Sequence, residues 1–196
     1  GALDRWAMEE ACSQLTRWRR TGLGTDLRIS VNQSSDRLGD PAFADAVCQI
    51  LERAGLPGEA LVIELTESAL AADPRSATAT LTTLADQGVR FAIDDFGTGY
   101  ASLEHLRRFE LAHQLKIDRS FVADLVSGSR RDRAIVSAAL VLADDLGLVS
   151  VAEGIETEPQ RATLQEMGCA LGQGYLFCPP MTAAEIVTHL ERGTAP

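Results

Sequence analysis

The stretch FAIDDFGTGY, residues 91–100, sets two carboxylates, Asp94 and Asp95, side by side at the end of an apolar run and just ahead of a glycine-rich turn. Adjacent like charges raise each other's pKa or demand a cation, and burial enlarges both effects. The chemistry this favours is capture of something positive. Other polar residues close apolar runs in the same way. Asn32 ends RISVN, Glu64 falls late in LVIELTE, Lys116 and Asp118 end QLKID, Glu153 ends VSVAE, and Gln173 follows CALG. One such residue at a strand end reads as a helix cap or a solvated loop. Recurrence at six successive runs points to a shared site.

The elements that must position these residues alternate along the chain. A helix is predicted over 4–20, with Leu3, Trp6, Ala7, Ala11, Leu15 and Trp18 at spacings of three and four, ending at Thr21-Gly22. Strands are expected at 27–32, 60–67, 89–95, 113–118, 148–153 and 169–173. Helices are expected at 40–55, 73–87, 101–108, across 119–146 with a break near 127–129, at 157–167 and at 182–192. Strands that are apolar on both faces and separated by helices are parallel and covered on both sides, so the class is α/β. A doubly wound open sheet would spread the polar ends along one edge, whereas a β/α barrel gathers them at one rim. The barrel accounts for the pattern better. Eight-stranded closure needs about two more strands than these runs supply, so the expectation is a TIM-like β/α barrel lacking its first strand or two, with residues 1–196 as one domain incomplete at the N-terminus.

Composition narrows the function. With 196 residues, 45% of them hydrophobic, the chain can bury a sizeable core. Its net charge of −10 opposes a polymeric nucleic-acid surface, which relies on clustered Lys and Arg. An anionic ligand would need bound metal or a local cationic site. Arg130, Arg131 and Arg133 read as a solvated helix start. Cys12, Cys48, Cys169 and Cys178 have no Cys-x-x-Cys spacing, and His105, His113 and His189 show no ligand pattern, so the thiols are read as reduced. No run approaches a membrane span and no signal peptide opens the chain. A cytoplasmic location is expected, with any membrane anchor of the parent protein lying outside these residues.

In order and spacing, ELTES (64–68), DDFGTGYASL (94–103), LKIDRSFV (115–122), AEGIET (152–157) and QGYLF (173–177), with VNQSS (31–35), resemble the EAL-domain cyclic di-GMP phosphodiesterases. The resemblance implies a β/α barrel that hydrolyses cyclic di-GMP to linear pGpG with Mg²⁺ or Mn²⁺ in a two-metal site. It assigns Asn32, Glu64, Asp94, Asp95 and Glu153 to the metals, Asp94 bridging the two. Oxygen donors of this kind suit hard cations, and two cations about 4 Å apart can acidify an attacking water and neutralise charge on a phosphate. Lys116 and Glu153 take the catalytic roles, on the attacking water or a phosphate oxygen and on the water's proton. Glu156 and Gln173 position water or substrate and brace the loop, and Glu67 matches the glutamate that anchors the mobile 96–103 segment, in which Gly97 and Gly99 permit a tight turn. Tyr175 and Pro180, with Phe177, are candidates to stack on a guanine, although aromatic residues after a strand are more often core.

Three departures stand out. The Glu-Ala-Leu strand has no counterpart, its place falling before Gly1. FCPPM (177–181) lacks the basic residue common before the proline, and Ala101 replaces a serine. The partners implied are cyclic di-GMP, a second copy of the chain as a homodimer, and a fused or separate sensor or diguanylate cyclase domain. A catalytically inactive cyclic di-GMP receptor or regulatory module is the alternative, and an unrelated metal-dependent barrel enzyme is a third.

Overall fold

The computed structural model describes residues 2–40, 42–66, 74–98, 110–126, 128 and 130–192, the side chains of 35, 36 and 74–76 excepted. Two compact units make up the chain: Gly1–Phe91 with Met181–Pro196, and Ala92–Pro180.

The first unit holds α1 (Ala2–Arg20), β1 (Ile29–Asn32), α2 (Ser35–Leu38), α3 (Ala42–Ala54), a 3-10 turn at Gly58–Ala60, β2 (Leu61–Thr66), α4 (Pro74–Asp86), the start of β3 (Arg90–Phe96) and α8 (Ala183–Glu191). Helix α1 turns a different face inward from the one the apolar spacing suggested. Met8, Cys12, Leu15 and Trp18 are buried, while Leu3 and Trp6 are 71% and 61% exposed. At about 100° per residue Trp6 lies about 120° around the helix from Trp18, so the two tryptophans cannot share one stripe. Thr16 ties α1 to α3: its hydroxyl donates to the carbonyls of both Cys12 and Ala54, the latter at 2.8 Å. Strand β2 buries Leu61, Val62, Ile63 and Leu65, on both faces, as a helix-covered parallel strand must. It pairs in parallel with β1, Asn32 opposite Glu64.

Cys12 is fully buried, and burial pushes its thiol up to about 11. Since the thiolate is the nucleophile, we expect iodoacetamide at pH 8 to label half-buried Cys178 in the native protein and Cys12 only after unfolding. Mass spectrometry of the labelled peptides reads this out, and equal labelling rates would contradict the packing of α1.

The second unit holds the rest of β3, β4 (Gln114–Ile117), α5 (Arg119–Ala123), α6 (Arg130–Asp145), β5 (Val149–Ala152), α7 (Glu158–Glu166) and β6 (Leu171–Gly172). Capping residues place its helices. Asp118 accepts from the Ser120 amide at the start of α5, and Thr157 with Gln160 forms a capping box at α7. The expected strand at 169–173 is shorter, two residues, and the expected helix at 101–108 lies outside the described residues.

The strands of the sheet follow chain order, β1 to β6, and β1–β2, β3–β4, β4–β5 and β5–β6 pair in parallel. A doubly wound sheet reverses its order at a switch point and a β/α barrel does not. The order is therefore that of the barrel class. Between Ile93↔Leu115 and Phe96↔Ile117 the β3–β4 register slips, so that Asp94 and Asp95 together oppose Lys116. This is a β-bulge seated on the two carboxylates, and Asp95 takes a positive φ of 55° there. A non-glycine residue in that region costs about 1 kcal/mol or more, and such strain gathers at functional sites.

Candidate active site

In the second unit the polar ends of four strands meet around one cation. Lys116, on β4, is 5% exposed. Its Nζ lies 2.6 Å from Glu153 Oε1 and 3.0 Å from Asp94 Oδ1. Glu153 Oε1 also accepts from Gln173 Nε2 at 2.8 Å. Main-chain bonds prolong the strand register to bring these residues into line: the Glu153 amide donates to Ile117 O and the Gln173 amide to Ala152 O. The turn carrying Gln173 is pressed against Ile155, whose amide donates to Gln173 O and whose carbonyl accepts from the Leu176 amide. A Cβ on Gly174 would fall 2.2 Å from Ile155 O, so only glycine fits that approach.

Asp94 Oδ1 is buried and makes no hydrogen bond: Lys116 Nζ is near it as a charge, outside hydrogen-bond geometry. A buried carboxylate oxygen left in that condition has unused capacity for a cation. The neighbouring Asp95 carboxyl is held above the usual carboxylate range by burial first, then by the negative charges of Asp94 and Asp118 and by a hydrogen bond shared with Asp118, against the opposing pull of Lys116. Asp118 goes the other way. Burial pushes it up, but bonds from the Ser120 hydroxyl and amide and the Arg119 amide outweigh that and lower it. Strand-end reading named Asp118 without a role in the site. The signal for its partnership with Asp95 is the helix-capping Asp-x-Ser that follows the lysine strand, which fixes the carboxylate where the bulge brings Asp95.

The remaining predicted residues fall as follows. Asn32 is exposed at the end of β1, level with half-buried Glu64 on β2, and the Glu64 carbonyl accepts from the Gln33 amide at 2.9 Å. Glu156 has an exposed side chain, while its amide donates to Gln160 Oε1. Tyr175 is 67% exposed and Pro180 is exposed; Phe177 is half-buried, lying over Gly172. Glu67 and Gly99 lie outside the described residues. Among the described residues no three His, Cys, Asp or Glu side chains converge as a metal centre. A cavity of about 420 Å³ opens in the first unit beside α1 and α3, lined by Thr16, Arg17, Arg20, Ile50 and Arg53 among others, and none of the strand-end residues borders it.

The chain is similar to known proteins in sequence and fold. The cyclic di-GMP phosphodiesterase NbdA of Pseudomonas aeruginosa is 42% identical over 188 residues, which are 96% of this chain and 24% of that protein. The chain thus spans less than a third of the length of the curated relatives it matches. The crystal structure of the EAL domain of Mycobacterium smegmatis DcpA superposes with a TM-score of 0.94 at 41% identity, covering all of this chain and 87% of that one. Klebsiella pneumoniae BlrP1, solved as a manganese and cyclic di-GMP complex, gives a TM-score of 0.83 at 30% identity over 93% of this chain and 45% of its own. The model of the EAL domain matches residues 1–180, and the chain belongs to that family.

Proposed function

We propose that this chain is the phosphodiesterase part of a protein that hydrolyses cyclic di-GMP to linear pGpG with Mg²⁺ or Mn²⁺, and so lowers the level of that messenger. The observation that carries the reading is the Asp94–Lys116–Glu153–Gln173 group on successive strand ends, gathered about the buried Lys116. NbdA is a phosphodiesterase for this dinucleotide, and BlrP1 holds it together with manganese, which supports the substrate and the metal.

Oxygen donors of the kind that suit a hard divalent cation are proposed from each unit. The second unit would contribute Asp94, whose buried oxygen makes no hydrogen bond, and the Asp95 carboxyl crowded by like charge; the first would contribute Glu64 and Asn32, level with each other at the ends of β2 and β1. When bound, the metal supplies charge neutralisation at the phosphate and a more acidic attacking water. The protein's own groups do the rest. Lys116 Nζ, fixed by two carboxylates, is a compact donor for the water or a phosphate oxygen. Glu153 Oε1 accepts the water's proton, and its orientation is set by Lys116 on one side and Gln173 Nε2 on the other. Tyr175 and Pro180, both exposed, are the proposed contacts for a guanine face. Glu67, outside the described residues, and Glu156 keep the loop-supporting roles that the family resemblance implies.

In the wider protein the chain works as one EAL domain joined to, or served by, a sensor or diguanylate cyclase domain, and it pairs as a homodimer. No described helix is long and apolar enough to cross a membrane. The test is direct: the intact protein, given cyclic di-GMP and 5 to 10 equivalents, roughly, of Mn²⁺ over protein, should release pGpG on chromatography. Tight binding of the dinucleotide with no product would replace the enzyme by a receptor.

A further inference from the structure

Gln160 sits in the first turn of α7, 7% exposed, and belongs to none of the strand ends. Its side-chain amide is used on both sides. Oε1 accepts from the Glu156 and Thr157 amides, each at 2.9 Å, and Nε2 faces the carbonyls of Val122 and Ala123 at 3.3 and 3.4 Å. The first pair are donors ahead of α7, and the second pair are acceptors at the end of α5, where the Val122 carbonyl also accepts from the Leu125 amide. One buried amide therefore closes two helix ends that are far apart in sequence.

Both helices connect to the strand ends that carry the reacting group. Helix α5 grows directly from the strand of Lys116 through its cap, Asp118. The segment from Glu153 to Thr157 leads from the general base to the start of α7. Among the described residues it is tied to β4 and α5 by the Glu153 amide on Ile117 O of β4, by Gly154 packed on Arg119 with room for no Cβ (2.5 Å to Arg119 Cβ), and by the Gln160 amide on the end of α5. Gln160 is the attachment made by side-chain hydrogen bonds, hence one that a substitution can remove without touching the strand or the turn.

We propose that Gln160 is a positioning residue for the hydrolysis, clamping the Glu153–Thr157 segment to α5 so that Glu153 keeps its place beside Lys116; this rests on the phosphodiesterase reading given above. The chemistry requires an amide. A carboxylate at this position accepts from the two N–H groups but turns a second anionic oxygen on the Val122 and Ala123 carbonyls, and an apolar side chain removes the bonds that Gln160 makes to all four main-chain groups. Residues that orient a catalytic group from behind commonly cost 10- to 100-fold, roughly, when removed, because a displacement of about 1 Å is enough for a loss of that size.

The experiment uses the intact protein with Gln160→Glu, nearly the same in size, and Gln160→Leu. For both, kcat should fall about 10- to 100-fold while KM for cyclic di-GMP moves by about threefold or less, and amide hydrogen exchange should quicken at Glu156 and Thr157 and stay as in the parent across α1. Unchanged kcat in either folded variant overturns the proposal, as does a loss of kcat and KM together with faster exchange throughout, which describes a residue that merely supports the fold. The exchange measurement also stands by itself. If the parent protein turns out not to hydrolyse cyclic di-GMP, faster exchange confined to 153–157 keeps the clamp and removes the phosphodiesterase reading, whereas unaltered exchange removes the clamp.

Discussion

Lys116→Ala and Glu153→Gln should each lower turnover of cyclic di-GMP by about 100-fold or more while changing its affinity far less. Both residues act on the attacking water in the proposed mechanism, and neither is needed to hold the dinucleotide's bases. An interaction made only in the transition state lowers kcat and kcat/KM together and leaves binding alone. Of the two, Lys116→Ala carries a second consequence. The lysine is buried between Asp94 and Glu153, and deleting one member of a buried charge group leaves the others uncompensated, at a cost of about 3–5 kcal/mol. The variant should therefore melt lower than the parent in the absence of divalent cation, and Glu153→Gln, which keeps a hydrogen-bonding oxygen beside Lys116, should melt nearer to it. Stopped assays for pGpG, equilibrium binding of the dinucleotide and a melting curve on the same preparations separate the effects. Equal losses of turnover and affinity in both variants would make these residues structural supports.

Divalent cation should raise the melting temperature of the intact protein, and Asp94→Asn should remove the shift. A ligand that binds only the folded state stabilises it by about 2.7 kcal/mol at a hundredfold excess over its dissociation constant. For a chain of this length that corresponds to about 5–10 °C. Asp94 supplies the buried oxygen without a hydrogen bond, and an amide in its place offers the same shape with no charge to balance the cation. The effect has a pH dependence of defined sign. Burial and the neighbouring charges of Asp94 and Asp118 raise the Asp95 carboxyl above 3.8. Without cation, the stability tied to its proton is present below that ordinary value and is lost as pH rises through the raised folded value. A bound cation requires the deprotonated form, so the Mn²⁺-induced shift should grow as pH rises through the same window and shrink on acidification. Melting curves with Mn²⁺ or with a chelator across that window test both points. A melting temperature indifferent to Mn²⁺ at neutral pH would sink the two-metal reading.

The amino-acid sequence by itself determined the alternation of strands and helices, the both-face burial of β2, and the placing of polar residues at the strand ends. These follow from local rules, since a period of 3.6 or an unbroken apolar run reports the environment of a single element. The helix starts are local too. Thr157-x-x-Gln160 and Thr182-x-x-Glu185 close capping boxes within four residues. Even α1 was legible as a helix, although its inward face was not, because two overlapping apolar stripes share Leu15 and Trp18 and only the packing partner chooses between them. What the tertiary structure decided is everything that depends on register between segments distant in the chain. Adjacent residues of a regular strand point to opposite faces, so Asp94 and Asp95 could not be assigned a common role from their adjacency; the bulge opposite Lys116 and the positive φ of Asp95 settle how they are presented. The seating of Lys116 between Asp94 and Glu153, the pairing of Asp95 with Asp118, and the double use of Gln160 depend on contacts across 22 to 38 residues of chain, as the 38-residue span from Val122 to Gln160 illustrates. No period in the sequence carries such contacts, because they are set by how parallel strands align once the intervening helices have packed.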